Sequence, residues 1–586
     1  MKSFFKTFFA VLLALVVLCV IGIFILAGFI ASATSAEKPT IGNDAVLVVD
    51  LANHFRERKQ ENPIGSILDD GAYDIPSLYD VVRMIRYAKA DTAIKGIYLV
   101  CGHNTNGFAA SEELRKALAD FKDSKKFIVA YGEAISQKGY YVGTIANKLY
   151  CHPEGGVEWG GFSSGMLYLK GALDKLEIQP QIFYAGKFKS ATEPLRETHM
   201  TEANRLQTSV WLGDLYSRLL QTTSESRDLD TAKLRMLAVN GSIQTAQDAL
   251  QQGLVDGLKY DDEVKTAILR KLHAAKEEQK INFVKLNDYA RAVDFKKTGN
   301  DGRIAIVYAA GDIVDGKGES DQVSSDEFRN LIRKLRLDKD IKAIVFRVNS
   351  PGGSSLASDV IWREITLARK EKPVVVSMGD VAASGGYYIS CNADSVFANA
   401  NTITGSIGVF SIVPNFESFF RNKLGVTFDR VKTAPFADMG SGDRPLNETE
   451  KRFVQSAVDS IYHTFKTRVS QGRKKDMVYV DSIAQGRVWT GTRASQIGLV
   501  DRVGTMQDAV DCAARMAKLK DYRTREYPEK KGFLEQLMSN YKKSVSKDLI
   551  KEEIGAEQWK VLQQVKQVRQ MIGVPQARMP FTVDVN

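Results

Sequence analysis

The sequence predicts an α/β protein. It reads as two tandem copies of one domain with mostly parallel sheets, preceded by a single N-terminal transmembrane helix. Three observations carry this reading: a charge-free apolar run near the N-terminus, a long-period internal repeat, and an alternation of short apolar strands with helical stretches. Strands alternating with helices pair in parallel through right-handed crossovers.

The apolar run extends from Thr7 to Ala31 without a charged residue. It is about 25 residues long, and roughly 20 cross a bilayer as a helix. Lys2 and Lys6 precede it, while Glu37 and Lys38 nearly cancel behind it. The positive-inside tendency then keeps the N-terminus in the cytoplasm and puts everything after Ala36 outside. Small residues at Ala31, Ser32, Ala33 and Ala36 also fit a cleaved leader. The apolar core, however, exceeds the roughly 7–15 residues that such leaders use. Residues 1–36 are therefore read as an uncleaved anchor.

The repeat has an offset of 247 residues. Ile94-Lys95-Gly96-Ile97 returns as Ile341-Lys342-Ala343-Ile344, and Gly139-Tyr140-Tyr141 as Gly386-Tyr387-Tyr388. Further on the spacing drifts by two residues, and Gly253-Leu254-Val255-Asp256 returns as Gly498-Leu499-Val500-Asp501 at an offset of 245. A unit this long excludes a solenoid. Copy one is placed at 40–295 and copy two at 300–520, joined by the polar stretch Lys296–Arg303. In copy two, Ile304–Ala309, Ile344–Val348, Val374–Met378 and Val396–Ala398 read as strands, and Phe328–Leu337 and Leu356–Arg369 as helices. Residues 521–586 form a C-terminal extension. Leu534, Leu537, Met538, Tyr541 and Val545 keep helical spacing there, as do Leu562, Val565 and Val568, so docking helices are expected.

Composition narrows the function. Hydrophobic residues make up 44% and charged residues 26% of 586, which excludes a disordered or fibrous chain. Five cysteines without CxxC spacing give no disulfide-dense scaffold, no metal site and no thioredoxin-like motif. The net charge of +10 is scattered, which favours a solvated surface over a nucleic-acid groove. Attraction to anionic lipid headgroups remains compatible with it.

Three segments can carry chemistry. Asn349-Ser350-Pro351-Gly352-Gly353 follows a strand, and paired glycines let backbone N–H groups approach a ligand. A tight turn after proline would look the same. Gly379-Asp380-Val381-Ala382-Ala383-Ser384-Gly385-Gly386 is a glycine-rich turn between a strand ending near Met378 and a helix starting near Ser384. Its small side chains leave the Ser384 hydroxyl uncovered. A helix-capping serine is the bland reading, but the counterpart of Ser384 in copy one is Gln137, so the fold does not require a serine there.

A serine nucleophile needs a base. None of the six histidines lies in a recognisable triad motif. Lys189, in Gly186-Lys187-Phe188-Lys189-Ser190, faces Ala437 in copy two. Copy one thus has the lysine without the serine, and copy two the serine without the lysine. Such a lysine must be neutral to act, and burial lowers its pKa. Thr404-Gly405-Ser406-Ile407-Gly408 offers a second hydroxyl to orient the amine.

These motifs resemble those of the signal peptide peptidase (SppA, protease IV) family in its long, two-copy bacterial form. The likeness covers residues 40 to 520. It rests on Ala383–Tyr387, on Thr404–Gly408 and on Gly186-Lys187-Phe188-Lys189-Ser190-Ala191-Thr192-Glu193-Pro194. The resemblance implies tandem crotonase/Clp-like domains and a serine endopeptidase that degrades cleaved signal peptides. It implies Ser384 as nucleophile, Lys189 as general base, Ser406 as the group that orients the lysine, and N–H groups of Gly385 and of Gly352 or Gly353 as oxyanion donors. It also implies a membrane-anchored homo-oligomer, a tetramer, in the bacterial inner membrane with its body in the periplasm. Peptides and the membrane are the expected partners, with no nucleic acid and no cofactor. The basic extension after Lys520 lies outside the likeness. A crotonase-type acyl-CoA enzyme and a non-catalytic peptide-binding scaffold are the alternatives. The short linker favours a Ser384–Lys189 pair within one chain.

Overall fold

A computed structural model describes residues 2–34, 39–59, 74–273, 280–296, 299–319, 321–529, 571 and 573–579. Runs such as Ala45–Asp50 (AVLVVD) and Arg303–Ala310 (RIAIVYAA) have no polar face, so both faces of each strand need cover. Helices provide it. The first sheet orders Gly257–Leu258, Lys148–Val157, Phe127–Ile135, Ile94–Val100, Ala45–Asp50 and Phe283–Lys285, and every pairing in it is parallel. Leu78–Ala90 and Phe108–Lys122 pack on it through buried residues such as Ile85, Leu114 and Phe121.

The second sheet orders Val488–Thr490, Ile403–Gly405, Val374–Ala383, Ile341–Ser350, Arg303–Ala310 and Arg523–Tyr527, with Ser395–Ala398 also on Val374–Ala383. Along that order only the pairing of Ile403–Gly405 with Val488–Thr490 is antiparallel. Mostly parallel α/β architecture is thus observed in both halves.

Two details differ from the sequence reading. The strand expected to end near Met378 continues to Ala383. Its neighbour changes partway: Val375 to Met378 pair with Ser395 to Ala398, while Val381 to Ala383 pair with Ile403 to Gly405. The glycine and alanines that signalled a turn are small enough for a buried strand that switches partners. The second detail is Arg523–Tyr527. This stretch, assigned to a helical extension, is a strand beside Arg303–Ala310. The residues that define the expected C-terminal helices, Leu534 to Val568, lie outside the described residues.

A third sheet joins the halves. It orders Val323–Ser324, Ile313–Val314, Gly352–Ser354, Gln576–Arg578, Val409–Asn415 and Gln179–Ala185. The strand Gln179–Ala185 of the first half therefore leaves its own sheet and pairs antiparallel with Val409–Asn415, Ala185 opposite Val409. Near the C-terminus, Gln576–Arg578 runs antiparallel to Gly352–Ser354.

The seam between the halves is polar and paired. Arg347, 1% exposed, bonds Glu57 at 2.9 Å and Glu113 at 2.8 Å. The Asp380 carboxylate accepts the Ala109 and Ala110 N–H groups at the start of the helix Phe108–Lys122.

The N-terminal segment is helical from Lys2 to Thr34. Its described apolar side chains, Phe8, Leu13 and Leu18 among them, are exposed. Among the described residues no helix is long and apolar enough to cross a membrane. The expected span rests on the sequence pattern, because the side chains of Cys19 and of residues 23–34 are outside the described set.

Candidate active site

Ser384 ends the strand Val374–Ala383 and precedes the short helix Gly385–Tyr388. Its backbone has φ 54° and ψ −114°, a conformation that a non-glycine residue adopts only under constraint. The constraint is visible: Ser384 N–H donates to Gly405 O at 2.7 Å, and its carbonyl accepts from Tyr388 N–H at 2.8 Å. Ser406, at φ 50°, directly follows the adjoining strand Ile403–Gly405, with its N–H donating to Arg487 O.

Lys189 reaches this point through the third sheet. Four residues after Ala185 leaves the strand pair with Val409, the chain turns back over Ser406. The turn Gln485–Gly486 of the second half clamps it, since Phe188 N–H donates to Gln485 O at 2.7 Å. A Cβ on Gly486, which has φ 74°, would stand 2.7 Å from Lys189 N, so the approach requires glycine.

The three expected side chains meet within one chain. Lys189 Nζ lies 2.9 Å from Ser384 Oγ and 3.0 Å from Ser406 Oγ, with Ser406 O at 3.2 Å. Lys189 is 1% exposed and both serines 0%. Among the described residues Lys189 makes no ion pair. Burial holds its pKa well below the ordinary lysine range, a shift that favours the neutral amine. The uncovered hydroxyl expected for Ser384 is corrected here. Its neighbours are small, but the Lys189 loop packs over it and makes it inaccessible in this state.

The glycines expected as oxyanion donors lie beside it. Gly352, at φ 99°, approaches so closely that a Cβ there would stand 2.7 Å from Gly385 N. Gly352 N–H donates to Ser350 Oγ at 3.2 Å, whereas Gly385 N–H has no acceptor among the described residues. Gly353 is farther along, against Ile313. The strand Gln576–Arg578 fills the space over these glycines: Gly352 is opposite Arg578 and Gly353 opposite Ala577. Met579 N–H donates to Pro351 O at 2.7 Å. The Met579 side chain enters an apolar cluster with Phe108, Trp211, Leu215, Ala383 and Val488.

One residue escaped the sequence reading. Gln207, 1% exposed on the helix Glu202–Arg227, straddles Lys189. Its amide donates to Phe188 O at 3.1 Å and to Ser190 Oγ at 2.9 Å, and its carbonyl accepts Val488 N–H at 3.3 Å. Asn204 accepts a further bond from it and donates to Glu193. Its sequence surroundings are an ordinary helix, so no local signal marks it. No His/Cys/Asp/Glu group among the described residues is arranged to hold a metal.

The model for Peptidase family S49 matches residues 120–276 and again 366–520, two stretches whose starts are 246 residues apart. The chain is 39% identical to Protease 4 of Salmonella typhi over 80% of this chain and 76% of that one. It is 31% identical to Protease 4 of Haemophilus influenzae over 90% of this chain and 89% of that one. A chloroplastic serine protease SPPA of Arabidopsis thaliana is 33% identical over 74% and 64% respectively. With a buried serine and lysine in contact where two S49 stretches meet, the chain belongs to peptidase family S49 and is a serine protease of the SppA, or protease 4, type.

Proposed function

We propose that this protein is a membrane-anchored endopeptidase that uses a Ser384–Lys189 dyad to degrade peptides, cleaved signal peptides among them. The observation that carries the reading is the 2.9 Å contact between Lys189 Nζ and Ser384 Oγ in a buried pocket where, among the described residues, the lysine has no acidic partner. Burial favours the neutral form of a lysine so placed, and that amine takes the Ser384 proton as Oγ attacks the peptide carbonyl. The proton then passes to the leaving amine, and a water activated by the same lysine releases the acyl group. Gly385 N–H, with Gly352 or Gly353, holds the oxyanion. Ser406 keeps the amine aimed at Ser384.

The peptide enters as a strand. Gly352–Ser354 and Val409–Asn415 leave a slot that the chain's own Gln576–Arg578 fills, and a substrate would take the same place by strand addition. The apolar cluster around Met579 suits the aliphatic side chains of signal peptides. Each copy is taken as a crotonase/Clp-like domain. The apolar helix Lys2–Thr34 is taken as the anchor in the bacterial inner membrane, with the body in the periplasm. Free CoA is absent from that compartment, which disfavours acyl-CoA chemistry.

A serine-directed fluorophosphonate tests the reading. Labelling of the intact protein at Ser384, lost in Lys189→Ala, is expected. An unlabelled but folded protein would point to the scaffold alternative.

A further inference from the structure

The two strands that lead into the site do not run in step. Ile341–Ser350 leads to Gly352 and Gly353, and Val374–Ala383 leads to Ser384. They pair in parallel with Val348 opposite Met378 and Ser350 opposite Ala382, so two steps along one strand are matched by four along the other. The extra length is a bulge at Gly379-Asp380-Val381, and bulges beside active sites re-aim the chain that follows.

Each residue of this bulge is pinned. Asn349 Oδ1 accepts Val381 N–H at 3.1 Å, and Asn349 Nδ2 donates to Glu57 Oε1 at 3.1 Å. Gly379 lies against both partners: a Cβ there would stand 2.7 Å from Glu57 Oε1 and 2.8 Å from Asn349 Cγ. Asp380 accepts the Ala109 and Ala110 N–H groups of the other half. Glu57 is itself fixed, because its Oε2 accepts from Arg347 Nε at 2.9 Å, and Arg347 also donates to Met378 O at 3.1 Å. Copy one is the internal comparison. At the offset of 247, Arg347, Asn349 and Asp380 correspond to Val100, Gly102 and Glu133, and Glu133 is exposed. The half without a nucleophile keeps the parallel strands and lacks this lock, so the fold alone does not require it.

We infer that Asn349, oriented by Glu57 of the other half, is a positioning residue that sets the spacing between the Gly352 turn and Ser384. The inference rests on the reading of Ser384 as nucleophile. Among the described residues Asn349 makes no hydrogen bond to Ser384 or Lys189, and it acts through the backbone. On one side it adjoins Ser350, whose Oγ accepts Gly352 N–H at 3.2 Å. On the other it holds Val381, three residues before Ser384. The Glu57 carboxylate can only accept, so it turns the Asn349 amide to present Nδ2 to itself and Oδ1 to Val381. Docking of the halves then completes the site twice: it delivers Lys189, and it sets the oxyanion donors against the nucleophile.

Exchange of the amide and the carboxylate tests this in the full-length protein in detergent. Asn349→Asp sets two carboxylates against each other. Glu57→Gln leaves Asn349 Nδ2 and Arg347 competing for one carbonyl. Each single variant is expected to lower kcat about 10²-fold, with KM and the ascending limb of the pH profile unmoved, because Lys189 and the strand slot are untouched. The double variant again places one amide and one carboxylate in the gap. It is expected to recover about tenfold or more of the lost rate, since groups in one network couple rather than add. Should Asn349→Asp melt below the assay temperature, the double variant is compared with Glu57→Gln alone, and the same recovery is required. A wild-type kcat in Asn349→Asp, a double variant no faster than the slower single, or a displaced pH limb would each overturn the inference. Fluorophosphonate labelling separates it from the dyad reading. An unlabelled wild type removes Ser384 as nucleophile, whereas wild type and Asn349→Asp labelled equally fast at Ser384 remove only the role of Asn349.

Discussion

Lys189 Nζ stands 2.9 Å from Ser384 Oγ although 195 residues separate them in the chain. The strand exchange that seats Gln179–Ala185 on Val409–Asn415 makes the contact, so the site exists only when both halves are folded together.

Loss of either member should abolish turnover. Ser384→Ala and Lys189→Ala are each expected to leave less than about one per cent of wild-type peptide hydrolysis, as removal of a nucleophile or its base does in triad enzymes. Ser406→Ala, which removes an orienting group, is expected to retain measurable kcat. Equal loss in all three would make Ser406 a direct participant.

The pH dependence follows from burial. The proposed dyad requires Lys189 to be neutral, so kcat/KM should rise with pH through a pKa well below the free-lysine value of about 10.4 and level off above it. Stability carries the opposite mark. Between its folded and unfolded pKa values Lys189 is neutral when folded and protonated when unfolded, so its burial disfavours folding, and the penalty fades as pH rises towards the unfolded value. Lys189→Met should therefore raise Tm at pH 7, by a margin that shrinks towards pH 10. A margin independent of pH would remove the titration argument.

Gln207 bonds the loop on both sides of Lys189 and is expected to position it. Gln207→Met keeps its shape but frees the loop on both sides of Lys189. Misplacing a reacting group by about 1 Å can cost 10²-fold, and a loss of this order is expected in kcat with KM little changed. Thermal scans separate this from unfolding. A kcat within twofold of wild type would show that the loop needs no strap.

Two dead chains should stay dead together. Ser384→Ala and Lys189→Ala subunits, co-expressed so that they assemble, are expected to show no recovered activity because the pair forms within a chain. Recovery of a sizeable fraction would place the lysine in a neighbour.

Deleting residues 571–586 should open the strand slot. The expected result is a lower KM for peptide substrates with kcat retained, read in steady-state assays. An unchanged KM would mean that Gln576–Arg578 does not compete with substrate.

Much of this molecule is written in local sequence. The repeat, the parallel α/β pattern and the complementary placement of Ser384 and Lys189 were legible because each depends on residue type at a fixed spacing, and because one copy serves as a control for the other. Gly379–Ala383 misled because small residues mark a turn by propensity, yet also suit a buried strand that changes partners. Tertiary structure alone decided the burial of Ser384, the strap from Gln207, and the C-terminal strand over Gly352. Each arises where segments distant in sequence cross between the halves, and the pattern within one segment carries no record of the surface that will cover it.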